Sequence, residues 1–427
     1  MASCSGYKVP RPFNEEPLRE WEGVGRPGDK GEDTRMPSEH SQVFAKFAGA
    51  TAEHVSKAIE AALEAKKSWQ DTPFTDRAAV FLRAAELVIG KYRYELIAAT
   101  MLGQGKNAWQ AEIDAAAELA DFFRFNASLA QQVYEQQPTL MAQGHHGRTD
   151  YRPLEGFVYA VSPFNFTAIG GNLVSAPALM GNVVVWKPSP YSTYASYLVY
   201  KILLEAGLPP NVIQFVNGDA EMITKVVFEH PEFAALHFAG SSDIFRSLCG
   251  KSGEGIVKKI YRDYPRMVGE TSGKNFHLVH SSANVSSAVK HTIRGAFEYA
   301  GQKCSACSRL YLPQSQAEDL LDQMKEEMKR VKVGPPDEFE NFMGTVIHRN
   351  SFDRIKAAID AANKDEQLER LLGGSYDDSK GLFIQPSVYV AKTLDHDLFN
   401  RELFGPVLAV HIYPNTEYGQ LLERIDL

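Results

Sequence analysis

Two cysteines three residues apart, Cys304 and Cys307, are the strongest candidates for chemistry in the sequence. They lie in the segment 301–307, Gly-Gln-Lys-Cys-Ser-Ala-Cys. This spacing is compatible with a zinc half-site, a redox pair, two buried structural cysteines, or a single nucleophile at Cys304. A second Cys/His pair is missing at zinc spacing, and the segment lies too far along the chain for a thioredoxin-like pair. A nucleophilic Cys304 would need an activating environment, because free cysteine is mostly protonated at neutral pH.

A cysteine that attacks a carbonyl also needs a donor for the developing oxyanion and a base. Asn165, in the segment 162–167 (Ser-Pro-Phe-Asn-Phe-Thr), could hold negative charge without competing for protons, although a capping asparagine is the alternative. Glu270 lies among small residues in the segment 269–274 (Gly-Glu-Thr-Ser-Gly-Lys) and is suited to activating water. The three residue types together are those that a cysteine nucleophile acting on a carbonyl requires.

Further polar residues follow predicted strands and suit a dinucleotide. Lys187 could reach ribose hydroxyls, although a lone lysine at a strand end is usually just solvated. Gly240 allows close backbone approach, and Ser241 can cap the next helix near a phosphate. Glu402 and Phe404 pair a carboxylate with an aromatic ring, as a nicotinamide ribose and its ring require.

The elements that must position these residues follow from the apolar pattern. Between residues 156 and 270, short apolar runs alternate with helical segments, which indicates a parallel sheet covered on both faces. The predicted strands are 157–161, 183–186, 212–216 and 234–238, and the predicted crossover helices lie near 192–206 and 220–229. Open α/β sheets place their sites in the loops at the carboxyl ends of such strands.

The regions on either side of this sheet are also predicted to be structured. Helices are expected from Thr51, over 76–89 and over 94–134, the last interrupted at Gly103 and Gly105. A second α/β region is expected after residue 269, with strands near 276–280, 309–312, 383–390 and 407–412. The pattern predicts a loose arm over 1–42 and two domains, 43–269 and 270–427, with the boundary near Glu270.

Composition excludes several classes of function. Lys and Arg number 45 against 53 Asp and Glu, so the net charge of −8 gives no reason to bind nucleic acid or an anionic membrane. No apolar run approaches the roughly 18 residues of a membrane span. Four cysteines in the whole chain suggest a reducing, intracellular setting. The glycines of 23–28 match a dinucleotide fingerprint, but no strand precedes them, so we reject them as a phosphate loop.

The order of the motifs resembles the aldehyde dehydrogenase superfamily. In succession they are Pro-Phe-Asn at 163–165, Lys-Pro-Ser at 187–189, Gly-Ser at 240–241, Glu-x-x-Gly-Lys at 270–274, Gly-Gln-x-Cys at 301–304 and Glu-x-Phe-Gly-Pro at 402–406. The longer segments 111–125, 162–172 and 297–309 are similar to the pyrroline-5-carboxylate (glutamate-semialdehyde) dehydrogenase branch. The likeness covers nearly all of residues 43–414, and the cysteine segment is its most specific part.

The resemblance implies a fold and a set of roles. The fold is α/β, with a parallel Rossmann-type NAD-binding domain preceded by helices (43–269) and an α/β catalytic domain (270–427). The implied nucleophile, oxyanion donor and general base are Cys304, Asn165 and Glu270. The implied NAD contacts are Ser162, Lys187, Gly240, Ser241, Glu402 and Phe404, and the implied substrate contacts are Ser305, Lys303 and Glu118. No metal site is expected.

The implied activity is NAD-dependent oxidation of L-glutamate 5-semialdehyde to glutamate through a Cys304 thioester, in proline catabolism. The resemblance also suggests the mitochondrial matrix, although no transit peptide is readable, and a homodimer. Two alternatives stay open: another semialdehyde dehydrogenase, or a shortened, non-catalytic NAD-binding or scaffold protein.

The sequence departs from the family pattern at three places. Ser272 stands where a glycine is usual, and Pro190 follows Lys-Pro-Ser where many relatives carry an acidic residue, so NAD preference rests on the branch likeness. The sequence stops at Leu427, before the family's later substrate-carboxylate loop and dimerisation strand. We therefore expect an exposed apolar patch at strand 407–412, and weaker oxidation than a longer relative achieves.

Overall fold

The computed structural model describes residues 31–426 and opens on an antiparallel hairpin. Strand β1 (Gly31–Met36) pairs with β2 (Glu39–Ala48). The expectation of a loose arm is therefore wrong for 31–42, and for 1–30 it lies outside the described residues, as does the rejected glycine motif at 23–28. The hairpin is tied to the rest of the chain by the Leu382 N–H, which donates to the carbonyl of Pro37 at 3.0 Å.

A layer of helices follows the hairpin, as the apolar periodicity predicts. Thr51 caps the first helix by accepting from the His54 N–H at 3.3 Å. Gly105 ends the third helix with φ +74°, whereas Gly103 lies inside that helix and does not interrupt it. The layer comprises α1 (Ala52–Trp69), α2 (Phe74–Ile89), α3 (Arg93–Gln104), α4 (Ala108–Ala111), a π-helical turn (Glu112–Ala117) and α5 (Glu118–Glu135).

The first sheet is parallel throughout, and its strands lie in the order β5-β4-β3-β6-β7. The predicted strands and crossover helices of this region are confirmed, with one further strand. The strands are β3 (Phe157–Val161), β4 (Val184–Lys187), β5 (Ile213–Phe215), β6 (Phe233–Gly240) and β7 (Arg266–Thr271). The helices are α6 (Thr167–Leu179), α7 (Thr193–Glu205), α8 (Ala220–Phe228) and α9 (Ser242–Val257).

Continuous apolar runs form these strands because both faces of the sheet are buried. Alternate residues of β3 enter different cores: Val158 and Ala160 pack into one cluster, and Phe157 and Tyr159 into the other. From β3, the strands β4 and β5 were added on one side of the sheet and β6 and β7 on the other, so the order of strands reverses at β3. The loops that leave β3 and β6 therefore border a crevice at the carboxyl edge of the sheet.

The second sheet has the order β10-β13-β14-β9-β8, parallel except for its antiparallel edge strand β10. Its strands are β8 (Asn275–Leu278), β9 (Cys307–Pro313), β10 (Leu368–Leu372), β13 (Ser387–Ala391) and β14 (Val407–Tyr413), and β11 (Tyr376–Asp377) and β12 (Phe383–Ile384) form a separate pair. The accompanying helices are α10 (Val285–Phe297), α11 (Ala317–Met328), α12 (Arg349–Ala362), α13 (Asp397–Asn400) and α14 (Tyr418–Asp426), with 3₁₀ turns at Glu298–Gly301 and Asn415–Glu417.

Three expectations about this region need correction. The predicted strand 383–390 is two strands in different sheets, because Pro386 between them has no N–H to donate. The boundary expected near Glu270 falls later, since Glu270 pairs with Ala239 inside the first sheet and the chain crosses over at residues 272–274. Strand β14 is not an exposed patch: it pairs with β13 and β9, and its residues 407–410 are buried.

No helix within residues 31–426 combines the length and the apolar character needed to cross a bilayer.

Candidate active site

The loop that carries Cys304 has an unusual backbone. Tyr299, Ala300 and Gly301 adopt consecutive left-handed conformations with φ of +54°, +52° and +66°. Such values suit glycine but cost energy at residues with a Cβ, so neighbouring contacts must hold Tyr299 and Ala300 in place. The buried hydroxyl of Tyr299 donates to the carbonyl of Gln104 at 3.0 Å.

Gln302, part of the Gly-Gln-x-Cys motif, is the central support of this loop, a role that the motif alone does not indicate. Its buried side-chain amide donates to the carbonyl of Thr345 at 3.2 Å and accepts from the Ile347 N–H at 2.9 Å. Its own carbonyl accepts from Nδ2 of Asn165 at 3.0 Å. The oxyanion candidate and the nucleophile loop are therefore joined directly, two residues before Cys304.

Cys304 and Glu270 are brought together from the two sheets. The Sγ thiol donates to Oε1 of Glu270 at 3.5 Å. Burial raises the pKa of the Cys304 thiol to about 11, and the charge and hydrogen bond of Glu270 add to the shift. The carbonyl of Cys304 accepts from Nδ2 of Asn275 at 2.5 Å, and a Cβ at Gly273 would overlap the same carbonyl. The nucleophile and base candidates are thus in contact, with the thiol protonated at rest.

The four cofactor candidates from the first sheet lie at its carboxyl edge. Ser162 follows β3 and accepts from Nε1 of Trp186 at 2.9 Å, and Lys187 is the buried last residue of β4. Gly240 ends β6, and Ser241 caps α9 by accepting from the Ile244 N–H at 3.4 Å, as the sequence predicts. A buried ammonium, two hydroxyls and a helix N-terminus on one edge fit a dinucleotide with its pyrophosphate near α9.

Glu402 and Phe404 approach the same crevice from the second sheet. Oε1 of Glu402 accepts from the Gly273 N–H at 2.8 Å, three residues from the base candidate. Phe404 has φ +51°, and its ring packs edge-on against Phe164 at 5.9 Å between centroids. Both residues line a cavity that also includes Lys274. The two candidates are therefore next to the turn after Glu270, as a nicotinamide-ribose role requires.

Of the three substrate candidates, Ser305 directly follows Cys304, and Glu118 lies close enough to Glu270 for the charge of that carboxylate to add to its raised pKa. Ser305 is exposed directly after Cys304. Glu118 begins α5; burial raises the pKa of its carboxyl group to about 7, with the Asp114 charge second. Its Oε2 has no hydrogen-bond partner among the described residues.

The third substrate candidate, Lys303, is engaged in contacts within the protein. Its ammonium forms ion pairs with Asp114 at 3.4 Å and with Glu298 at 3.2 Å. Motif reasoning missed Asp114, because a single acidic residue in a helical stretch carries no recognisable signal.

The paired-cysteine alternatives find no support in the geometry. Cys307 begins β9, and its thiol donates to the carbonyl of Arg309 at 3.4 Å. Cys249, Cys304 and Cys307 are all free thiols. Over residues 31–426, His, Cys, Asp and Glu form no cluster of three that could hold a metal ion.

A comparison with family models assigns a chain with this fold and this set of side chains to one family. Residues 26–420 match the model of the aldehyde dehydrogenase family. The chain belongs to the aldehyde dehydrogenase family. The α/β fold expected from the motifs is confirmed by the same match and by solved structures.

Several similar relatives belong to one branch of this family. The chain is 58% identical over 393 residues to the mitochondrial delta-1-pyrroline-5-carboxylate dehydrogenase of Emericella nidulans, covering 91% of this chain and 68% of the relative. It is 48% identical over 391 residues to the Homo sapiens enzyme of the same name, covering 91% and 69%. The NAD-bound delta-pyrroline-5-carboxylate dehydrogenase of Mycobacterium tuberculosis superimposes with a TM-score of 0.89 at 43% identity, covering 94% of this chain and 73% of that one.

Ser272, the departure from the family pattern, makes a specific contact. Its φ is +45°, and its hydroxyl accepts from the Ser242 N–H at 3.1 Å. The side chain therefore uses a donor at the N-terminus of α9, the end that faces the cofactor crevice.

Proposed function

We propose that this aldehyde dehydrogenase oxidises L-glutamate 5-semialdehyde, the open form of pyrroline-5-carboxylate, to glutamate with NAD as oxidant. The single observation that carries the reaction type is the contact between Cys304 Sγ and Glu270 Oε1 at 3.5 Å. The substrate is supported by relatives of 47–58% identity that are all named for pyrroline-5-carboxylate. The choice of NAD as cofactor is supported by the NAD-bound structure of a relative.

The residues of the chain account for the covalent steps. Glu270 accepts the thiol proton through the existing contact, and the Cys304 thiolate adds to the aldehyde carbon. The Asn165 amide and the Cys304 backbone N–H hold the oxyanion that forms. When bound, NAD would accept the hydride that leaves the former aldehyde carbon as the oxyanion collapses to a thioester. Ser162, Lys187, Ser241, Glu402 and Phe404 are the residues that would hold it.

Hydrolysis of the thioester on Cys304 completes the reaction. Glu270 first releases the thiol proton to solvent, then removes a proton from water, and the hydroxide that forms attacks the acyl carbon. Glutamate leaves, and the cysteine takes up a proton. Ser305 and Glu118 are the residues we assign to the substrate's carboxylate and amino groups, and Glu118 is charged above a pH of about 7 because of its raised pKa.

Two further parts of the proposal concern the setting of the enzyme. Several of the relatives are named mitochondrial, which supports a mitochondrial matrix location. Resemblance to the family is the support for a homodimer, and light scattering of the purified protein tests for it.

The test of substrate class is a panel of semialdehydes assayed at equal concentration. Pyrroline-5-carboxylate should give the highest kcat/KM, with one NADH formed per glutamate. A higher kcat/KM for a shorter or uncharged semialdehyde would instead assign the chain to another semialdehyde dehydrogenase. NAD binding by a folded protein that oxidises none of them would favour a non-catalytic role.

A further inference from the structure

A fully buried ion pair lies beneath the loop that carries Cys304. Lys106, whose side chain is 0% exposed, pairs with Asp114, whose side chain is 3% exposed. The Lys106 ammonium also lies 4.2 Å from the ring centroid of Tyr299 and 4.4 Å from that of Phe166. Removing two charges from water is costly, and apolar residues in their place are often as stable, so stability alone is a weak reason for this pair.

The pair contacts the nucleophile loop at two points. The first contact is between the Lys106 ammonium and the ring of Tyr299, which is the first residue of the left-handed segment 299–301. Beside it, Asp114 accepts a second ion pair, at 3.4 Å, from Lys303, which directly precedes Cys304. The buried pair thus holds the loop on both sides of its strained backbone.

The local structure of the helical layer is adapted to this contact. Asp114 lies in the π-helical turn Glu112–Ala117, and such turns are rare and often occur at functional sites. In the same turn, Glu112 pairs with Arg93 instead, through a contact of 3.2 Å between Nε and Oε2 at a half-buried position. The π-helical turn therefore places Asp114 against the loop that carries Cys304 and Glu112 against helix α3.

We propose that Lys106 and Asp114 are positioning residues for Cys304: they hold the left-handed segment 299–301 and Lys303 so that Sγ stays against Glu270. Neither residue touches the reacting atoms, and the effect passes through Tyr299 and Lys303. The proposal rests on the proposed function only for the role of Cys304 as nucleophile.

The main test is the double variant Lys106→Met/Asp114→Leu. It replaces the ion pair by apolar side chains of similar size, a change that folds commonly tolerate, and methionine keeps a favourable contact with the two rings. We expect a folded protein with kcat reduced by about tenfold or more, because small displacements of a reacting group are expensive. The KM for the aldehyde and the Kd for NAD should change by less than about threefold.

A second readout needs neither substrate nor cofactor. The rate at which iodoacetamide alkylates Cys304 is followed against pH by tandem mass spectrometry, which separates Cys304 from Cys307. Burial is the largest cause of the raised thiol pKa, and Glu270, the charged group that faces the thiol, adds to it, so a thiol that moves away from Glu270 should react at lower pH. Glu112→Gln is the matched control, and its alkylation profile and kcat should equal those of the wild type.

Two results would overturn the proposal. One is a folded double variant with wild-type kcat and an unchanged alkylation profile.

If the double variant does not fold, Lys303→Met removes the ion pair between Lys303 and Asp114, and the same loss of kcat and the same shift in the alkylation profile are expected. An Lys303→Met protein that only raises KM for the amino-acid aldehyde, with no alkylation shift, would make Lys303 a substrate contact and contradict the proposal. Alkylation still reports on the loop if pyrroline-5-carboxylate proves not to be the substrate.

Discussion

The resting state of Cys304 is a protonated thiol held against the Glu270 carboxylate, the base that we propose for it. Burial and the nearby Glu270 together raise the pKa of the thiol to about 11, so little thiolate exists at neutral pH. The contact of 3.5 Å nevertheless gives the proton a direct path to the carboxylate when an aldehyde arrives. This arrangement protects the thiol from unwanted oxidation while keeping it ready for attack.

The two cysteines of the motif should differ sharply when each is replaced. Cys304→Ser should abolish aldehyde oxidation, because an alcohol at this position is far harder to deprotonate than a thiol. NAD binding, measured by calorimetry, should persist, since its proposed contacts lie mainly on the first sheet. Cys307→Ser should keep most activity, because the Cys307 thiol contacts the backbone of Arg309 and takes no part in the steps. Equal loss in both variants would revive the paired-cysteine interpretation.

Glu118 should make substrate and product binding pH-dependent. Burial first, and the Asp114 charge second, raise its pKa to about 7, so the carboxylate is charged above that pH and neutral below it. Lowering the pH from about 8 to about 6 should weaken glutamate binding several-fold, because the attraction for the amino group is lost. Calorimetry at both pH values measures this change, and Glu118→Gln should remove it. The same pH dependence in the variant would exclude Glu118 from this role.

At the residue scale, the sequence identified the residues that carry motifs. Cys304, Glu270 and Asn165 were found because each lies in a short segment of unusual composition, and the structure brings all three to one loop system. Lys106 and Asp114 escaped notice, since isolated charges in a helical stretch are usually solvated and only the packed structure reveals their burial.

At the scale of elements, the turn after β7 and the nucleophile loop fit together closely. Gly273 lies against the carbonyl of Cys304, and its N–H donates to Glu402. Gly273→Ala should lower kcat/KM by roughly a hundredfold, because the new methyl group would push the Cys304 backbone away.

A glycine in open surroundings provides the control for that substitution. Gly250 lies inside helix α9 with no other group within 4 Å of its would-be Cβ. Gly250→Ala should leave kinetics unchanged and stabilise the protein by about 0.5–1 kcal/mol, as alanine does in helices. A Gly273→Ala enzyme as active as the Gly250→Ala enzyme would show that the close approach to Cys304 is dispensable.

The strands of the first sheet were predictable because unbroken apolar runs have few alternatives to a buried parallel strand. The strand that carries Glu270 was not, because Arg266–Thr271 is only partly buried and reads as a polar turn. The π-helical turn was also out of reach, since it arises from tertiary contacts of Asp114 rather than from local preference.

At the scale of the whole molecule, the active site exists only where the two sheets meet. Asn165 and Glu270 come from the first sheet, and the loop of Cys304 leads into the second. The reaction therefore requires both sheets to be folded and packed together. The covalent intermediate on Cys304 is the species that reports this most directly.

The measurement that tests this account most directly is a single turnover of Glu270→Gln with NAD and pyrroline-5-carboxylate. In this variant no carboxylate takes the thiol proton and burial still raises the thiol pKa, so the thiolate forms by loss of its proton to solvent at alkaline pH and adds to the aldehyde more slowly. Water is no longer activated, so the thioester that forms is not hydrolysed. We expect one equivalent of NADH, then a stall, with a glutamyl adduct on Cys304 in the mass spectrum. Steady turnover without an adduct, or an adduct on another residue, would contradict it.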